Sequence, residues 1–346
     1  MKAAVLTGVR QFEIRELPEP VVPEDGLVLD VRACGICGSD LRRWKEGAPT
    51  GSGGIVPGHE AAGVVTAVGP RTTEFAFGDR LAVAPDIHCG QCFYCRRGQF
   101  NLCDDLRLLG ITPGYPGGFA ERIVLTREVL DRGIVRRIPD GLSFDHAAVS
   151  EPCCSVLACH DDASTGQGDT VVILGAGPVG CLHVFVARSR GAKVIVSEPN
   201  PVRRQLAERF GPETMIDPSK ENAIEVVKQW TGGVGADVVI CANPFAQTQT
   251  DAVMMVRKGG KVMLFGGLPK ADPWVKLDGN RIHYGQIQVI GSFSYLPAMH
   301  ATALELLSQG RLPADKLITH SFSLDQIGQA YETAAGGDAL KVIIRI

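Results

Sequence analysis

The sequence predicts a mixed α/β chain of two domains, one built on short antiparallel, barrel-type strands and the other on a doubly wound parallel sheet. Three observations carry this prediction. Up to about Ser150, short β-branched runs are punctuated by Gly and Pro turns; from about Gly168, apolar strands alternate with segments of helical period; and the run VVILGAGPVG joins a strand to a helix through closely spaced glycines. A length of 346 residues exceeds one ordinary core and suits two.

In the first part, strands are expected at Leu27 to Val31, Gly63 to Val68, Arg80 to Ala84 and Ala120 to Leu125. In the second, VVILG, KVIVSE, ADVVICAN and KVMLFGG alternate with helical segments near 180–190, 200–210 and 247–257, the pattern of βαβ units. The last part holds a helix over His300 to Gln309, another over Leu324 to Ala335, and the closing strand ALKVIIRI. So apolar a terminal strand is expected to return to the first domain's sheet and take an edge there. The first domain then comprises 1–153 and 291–346, with 154–290 inserted between its two pieces.

Composition removes several classes of function. A formal net charge of −3, with no Lys/Arg-rich run, gives nothing to attract nucleic acid or an anionic membrane surface. The longest apolar stretch, Val171 to Ala187, is broken by GAGPVG and His183 and is too short to span a bilayer. Eleven cysteines is an odd number, and MKAAVLTGVRQFEIRELPEP lacks the long apolar core of a signal peptide. Reduced thiols in a cytoplasmic setting are therefore expected, as metal ligands or small core residues.

Cys89, Cys92, Cys95 and Cys103 are spaced Cys-x2-Cys-x2-Cys-x7-Cys in a polar loop. Four thiolates so close together suit a closed tetrahedral structural zinc site, which has no position left for substrate. An iron–sulfur cluster is the chemical rival, although its fourth cysteine normally follows after three residues and precedes Pro.

Three other segments set ligand-type residues beside glycines: Cys37 in CGICGSD, His59 and Glu60 in PGHEAAG, and Glu151 in SEPCC. A mixed thiolate, imidazole and carboxylate set suits zinc of the catalytic kind. In GAGPVG, Gly175, Gly177 and Gly180, with Pro178 between them, follow an apolar run and open a helical segment. There glycines let backbone approach a pyrophosphate at a helix N-terminus. Glu198, at the end of KVIVSE, is placed to bond ribose hydroxyls and to repel a 2′-phosphate, which favours NAD over NADP. Arg203 and Arg204 follow closely and argue the other way.

Together these motifs resemble the zinc-containing medium-chain alcohol dehydrogenases, and within them the sorbitol-type polyol and threonine dehydrogenases, over essentially the whole chain. The resemblance implies a GroES-like catalytic domain and a Rossmann NAD-binding domain. It implies a catalytic zinc held by Cys37, His59, Glu60 and Glu151, with Cys37 and His59 foremost, and a structural zinc on the four-cysteine lobe. Ser39 corresponds to the hydroxyl that accepts the alcohol proton or hydrogen-bonds the oxygen. Val179, Arg203, Gly266, Gly267, Leu268, Ser292 and Phe293 would line the cofactor. The implied reaction moves hydride from a secondary alcohol of a polyol, sugar alcohol or cyclitol to NAD, giving the ketone. The implied assembly is a homo-oligomer, dimer or tetramer.

Three alternatives stand beside this reading. Threonine dehydrogenases carry a His soon after the zinc Cys, where this chain has Leu41 and Arg42. Phosphorylated-polyol dehydrogenases show an Arg comparable to Arg43. A non-enzymatic zinc- and NAD-binding protein on the same fold would be expected to lack ligands that are present here.

Overall fold

The aliphatic runs of the N-terminal part fold as strands because alternate side chains find one shared core. In the computed structural model, which describes residues 1–48 and 53–346, these strands are β1 (Lys2–Gly8), β2 (Gln11–Glu16), β3 (Leu27–Gly35), β4 (Glu60–Val68), β5 (Arg80–Ala84), β6 (Asp86–Ile87), β7 (Arg107–Leu108), β8 (Arg122–Leu125) and β9 (Ile134–Arg137). The following stretch supplies β10 (Thr170–Leu174), β11 (Lys193–Ser197), β12 (Thr214–Ile216), β13 (Ala236–Cys241), β14 (Val256–Leu264) and β15 (Gln288–Gly291), and the last part β16 (Ile318–Ser323) and β17 (Lys341–Arg345). The residues gather into two units, Met1–Cys154 with Tyr295–Ile346, and Ser155–Ser294.

The first unit is organised on a sheet in the order β16-β17-β3-β4-β5-β9. β3 is its hinge: β4 runs antiparallel along one edge, while the other edge is shared, β8 pairing with Leu27 to Asp30 and β17 with Ala33 to Gly35. The terminal strand thus returns to the first sheet, but not at an edge. β16 pairs parallel on its outer side, and its sequence ITHSFS is too polar to announce a buried strand. The helix Gly38–Glu46 is tied to this core by Trp44, 1% exposed, whose ring lies 5.7 Å from that of buried Tyr331. Asp40 and Trp44, one helical turn apart, share the inward face.

The second unit is a six-stranded, wholly parallel sheet in the order β12-β11-β10-β13-β14-β15. Counted within the unit this is 3-2-1-4-5-6, the doubly wound order whose reversal point lies between its first and fourth strands. Val172, Leu174, Ile195, Val239 and Val262 from four of these strands are buried in one cluster. Among the described residues, no helix is long and apolar enough to cross a membrane.

Three histidines are completely buried and neutral. His160 Nδ1 lies 3.0 Å from Thr165 Oγ1 and His160 Nε2 lies 3.2 Å from His183 Nδ1, while His300 Nε2 lies 2.9 Å from Ser150 Oγ. Burial pushes His160 and His300 down to about 3 and His183 well below its usual range. An unfolded chain takes up these protons near pH ~6.5, whereas the folded one does not. Each histidine therefore withdraws about 1.4 kcal/mol of stability per pH unit as pH falls below that point. His300→Gln keeps a nitrogen toward Ser150 and removes the titration. Denaturant midpoints of this variant and the parent, compared between about pH 7 and 5, are expected to fall less steeply in the variant; parallel decline would refute this.

Candidate active site

The four-cysteine lobe is drawn together by its own backbone. The amide of Cys89 donates to Cys103 Sγ at 3.2 Å, that of Cys95 to Cys92 Sγ at 3.4 Å, and the Cys89 and Cys95 sulfurs are 4.0 Å apart. All four sulfurs lie within 4.8 Å of one another and none is in a disulfide. Backbone N–H groups from Cys95 and Asp104 bring the Cys92 thiol down to about 6, while burial raises Cys95 to about 12 and lifts Cys103. Four sulfurs that converge within 4.8 Å and form no disulfide fit a tetrahedral zinc.

A second group forms where β3, β4 and the helix Gly38–Glu46 meet. Cys37 caps that helix, His59 precedes β4 and Glu60 begins it; their ligand atoms also lie within 4.8 Å of one another. Asp40 organises two of them: its Oδ2 accepts the Cys37 amide at 2.9 Å, and its Oδ1 is 3.3 Å from His59 Nδ1, an ion-pair distance without hydrogen-bond alignment. With a carboxylate beside Nδ1, Nε2 is the ring nitrogen that could face a metal. Burial works against a charged His59, but Asp40 and Cys37 outweigh it and raise its pKa well above the usual value. Ser39 Oγ stands 3.4 Å from His59 Nε2. A thiolate, an imidazole and a carboxylate converging in a buried place, with a hydroxyl at the rim, fit zinc as a donor set.

Glu151 lies outside that cluster. Burial raises its carboxyl to about 7, with His59 pulling the other way, and Tyr295 donates its hydroxyl to Oε1 at 2.9 Å. Glu60 is engaged by Lys341, whose Nζ is 2.7 Å from Oε1 and 2.8 Å from Oε2. Cys34, three residues before Cys37, is fully buried in the core, and burial raises its thiol well above the usual range.

In the second unit the glycine loop joins β10 to the helix Pro178–Ser189, with Pro178 in its first turn, where no amide is missed. Gly175 has φ +107°, and a Cβ on Gly180 would sit 2.0 Å from Gly175 O; a Cβ on Gly177 would meet nothing within 4 Å. Gly175 and Gly180 thus close the turn, and Gly177 faces open space. A cavity of about 510 Å³ is lined there by Gly175, Gly177, Glu198, Asn200, Arg203 and Asn243, among others. Glu198 is buried one residue beyond β11, its Oε2 accepting the Ala176 amide at 2.8 Å and its Oε1 that of Asn200 at 2.9 Å. It therefore ties the glycine loop to the next strand end. Arg204 is used up by Glu198 O, Pro199 O and Asp217, whereas Arg203 Nε is buried without a hydrogen-bond partner among the described residues.

Gly266, Gly267 and Leu268 follow β14, and Ser292 and Phe293 follow β15, so they stand at the carboxyl ends of the parallel strands, as the glycine loop does. They are not part of the cavity's lining. Val179 is partly exposed in the first turn of its helix. A loop of open glycine backbone, a helix N-terminus, a fixed carboxylate and an unpaired guanidinium nitrogen fit a dinucleotide.

Two family models match the chain: the alcohol dehydrogenase GroES-like domain over residues 23–140, and the zinc-binding dehydrogenase domain over 178–309. The sequence is 34% identical over 352 residues to a sorbitol dehydrogenase of Bacillus subtilis strain 168, covering 99% of this chain and 97% of that protein. It is 32% identical to D-xylulose reductase A of Aspergillus oryzae over 98% of this chain and 95% of that one. The chain belongs to the zinc-binding dehydrogenase family. Among solved structures, a zinc-binding dehydrogenase of Sinorhizobium meliloti 1021 bound to NADP matches with a TM-score of 0.89 and 33% identity, covering 100% of this chain and 99% of that one.

As a member of that family this dehydrogenase is an oxidoreductase acting on CH–OH groups. Three residues around its first-unit cluster escape sequence reasoning. Asp40 had a local signal, since it stands three residues after a helix-capping Cys37. Lys341 had a fainter one, a cation set between apolar residues in the stretch ALKVII. Tyr295, 144 residues from Glu151, had none.

Proposed function

We propose that this dehydrogenase oxidises a secondary alcohol of a polyol, sugar alcohol or cyclitol to the ketone, passing the hydride to NAD. The observation that carries the proposal is the convergence of Cys37, His59 and Glu60 ligand atoms within 4.8 Å, in a chain similar along 99% of its length to a sorbitol dehydrogenase. Cys37 and His59 serve as the fixed ligands of a catalytic zinc, with a carboxylate from Glu60 or Glu151 beside them. Cys89, Cys92, Cys95 and Cys103 hold a structural zinc.

When bound, zinc supplies Lewis acidity that eases loss of the alcohol proton, and nicotinamide accepts the hydride. The protein's own part is to aim and to move protons. Asp40 stands beside Nδ1 of the His59 ring, and Ser39, already beside His59, hydrogen-bonds the substrate hydroxyl and relays its proton, handing its own hydroxyl proton on to water as it receives the substrate's. The Gly175 to Gly180 loop with Pro178 and Val179, and the segments Gly266 to Leu268 and Ser292 to Phe293, seat the dinucleotide.

NAD is favoured by Glu198, a buried carboxylate held from both oxygens, where a 2′-phosphate would meet negative charge. The partnerless Nε of Arg203 favours NADP as the second reading. The chain is further proposed to act in the cytoplasm as a homo-oligomer, a dimer or tetramer, consistent with eleven cysteines free of disulfides and with β15 as an open sheet edge. Light scattering checks the assembly.

The test is a panel of polyols, cyclitols, phosphorylated polyols, simple secondary alcohols and L-threonine, each with NAD and with NADP. Reduced cofactor is expected to form fastest with an uncharged polyol and NAD. A preference for threonine or for a phosphorylated substrate would overturn the substrate class, and a preference for NADP would overturn the role of Glu198.

A further inference from the structure

His183 lies in the helix Pro178–Ser189, which opens at the glycine loop, and its buried Nε2 has no hydrogen-bond partner among the described residues. Its other nitrogen belongs to a chain: Nδ1 is 3.2 Å from His160 Nε2, and His160 Nδ1 is 3.0 Å from Thr165 Oγ1. Each neutral ring carries one proton, so the chain can run in only two directions. Run from His183 to Thr165, it leaves the buried Thr165 hydroxyl proton without an acceptor among the described residues and His183 Nε2 as an unmet acceptor. Run from Thr165, every member donates to the next and only the His183 Nε2–H remains. Beside that ring stands Phe265, its centroid 4.6 Å away and its plane turned by 87°, an arrangement that suits an N–H directed at π electrons.

Phe265 immediately precedes Gly266, whose amide donates to Cys241 O at 2.7 Å and whose Cβ, if it had one, would lie 2.3 Å from Asn243 O. Asn243 lines the cavity beside the glycine loop, and its side-chain amide donates to Leu174 O at 3.0 Å, at the end of β10. The His183 ring thus stands between the helix that follows the glycine loop and the turn that follows β14. We propose that His183 is a positioning residue for the dinucleotide: a one-way chain from Thr165 through His160 to His183 and the Phe265 ring holds the turn Phe265 to Leu268 against the glycine-loop helix. The inference rests on the cofactor site proposed above. It orders the turn by tautomer, with both rings uncharged.

Nitrogen NMR of the full-length protein labelled at its histidine nitrogens, with His160→Gln and His183→Gln for assignment, reads the tautomers directly. Protonated Nε2 on both rings is expected, and protonated Nδ1 on either overturns the proposal. NADH binding, followed by fluorescence, reads the consequence. His183→Leu fills the space but ends the chain, and is expected to weaken NADH about tenfold while kcat at saturating cofactor stays within about threefold of the parent's. His183→Gln, whose amide oxygen accepts from His160 while its N–H turns to Phe265, should bind NADH within about threefold of the parent. A lower melting temperature in His183→Leu with NADH affinity unchanged would show a histidine that only packs, and overturns the proposal. Should His183→Leu fail to fold, Thr165→Val removes the first donor and is expected to weaken NADH in the same direction; unchanged affinity there overturns the proposal as well. A parent protein that binds neither NADH nor NADPH would instead overturn the cofactor site itself.

Discussion

Cys37→Ala is expected to lower kcat/KM by about a thousandfold or more and to reduce zinc from two ions per chain to one. Cys37 caps the helix Gly38–Glu46, whose position is set by buried Trp44 and Asp40 rather than by the thiol. Replacing it therefore removes the proposed ligand and leaves the fold in place. Lewis-acid stabilisation is worth several kcal/mol, and at about 1.4 kcal/mol per factor of ten the loss of about 4 kcal/mol gives that magnitude. Metal analysis beside steady-state kinetics and a melting curve checks the prediction. Activity within tenfold of the parent, or zinc still at two per chain, would show that Cys37 is no ligand.

Cys103→Ser is expected to act on stability instead. Cys95 and Cys103 are buried, and in the absence of metal their raised pKa values keep them protonated at neutral pH. Metal binding must expel those protons, so zinc held by the lobe is released as the medium becomes more acid. A structural zinc contributes several kcal/mol to folding, and for a chain of this size that corresponds to a fall in melting temperature on the order of 10 °C. The catalytic cluster draws its residues from β3, β4 and the helix between them, none of which lies in the lobe. At low temperature kcat should therefore change by less than about tenfold, well below what Lewis-acid loss costs. Calorimetry with and without a chelator reads the first effect and kinetics on the folded protein the second. An unchanged melting temperature would contradict a structural metal.

What the sequence makes legible is what is local. Cys89 to Cys103 can be read because four ligands fall within one loop, and GAGPVG because strand, glycines and helix follow one another without interruption. The α/β class and the return of ALKVIIRI to the first sheet are legible from hydrophobic periodicity. Its seat inside that sheet is not, because the covering strand β16 is polar on its outward residues and reads as a loop. The pairing of Glu60 with Lys341 joins residues 281 apart in sequence, and only tertiary packing sets their approach. Glu198 illustrates a different limit. Its acidity is readable, but that its carboxylate accepts two backbone amides and so fixes the glycine loop is not.

Zinc-assisted hydride transfer is the centre of this account, and metal dependence of polyol oxidation tests it most directly. Reduced NAD should form from a polyol with the zinc-loaded protein, cease when the catalytic zinc is removed under conditions that leave the lobe folded, and resume when zinc is returned. Oxidation that continues at the same rate in protein shown to lack that zinc would contradict it.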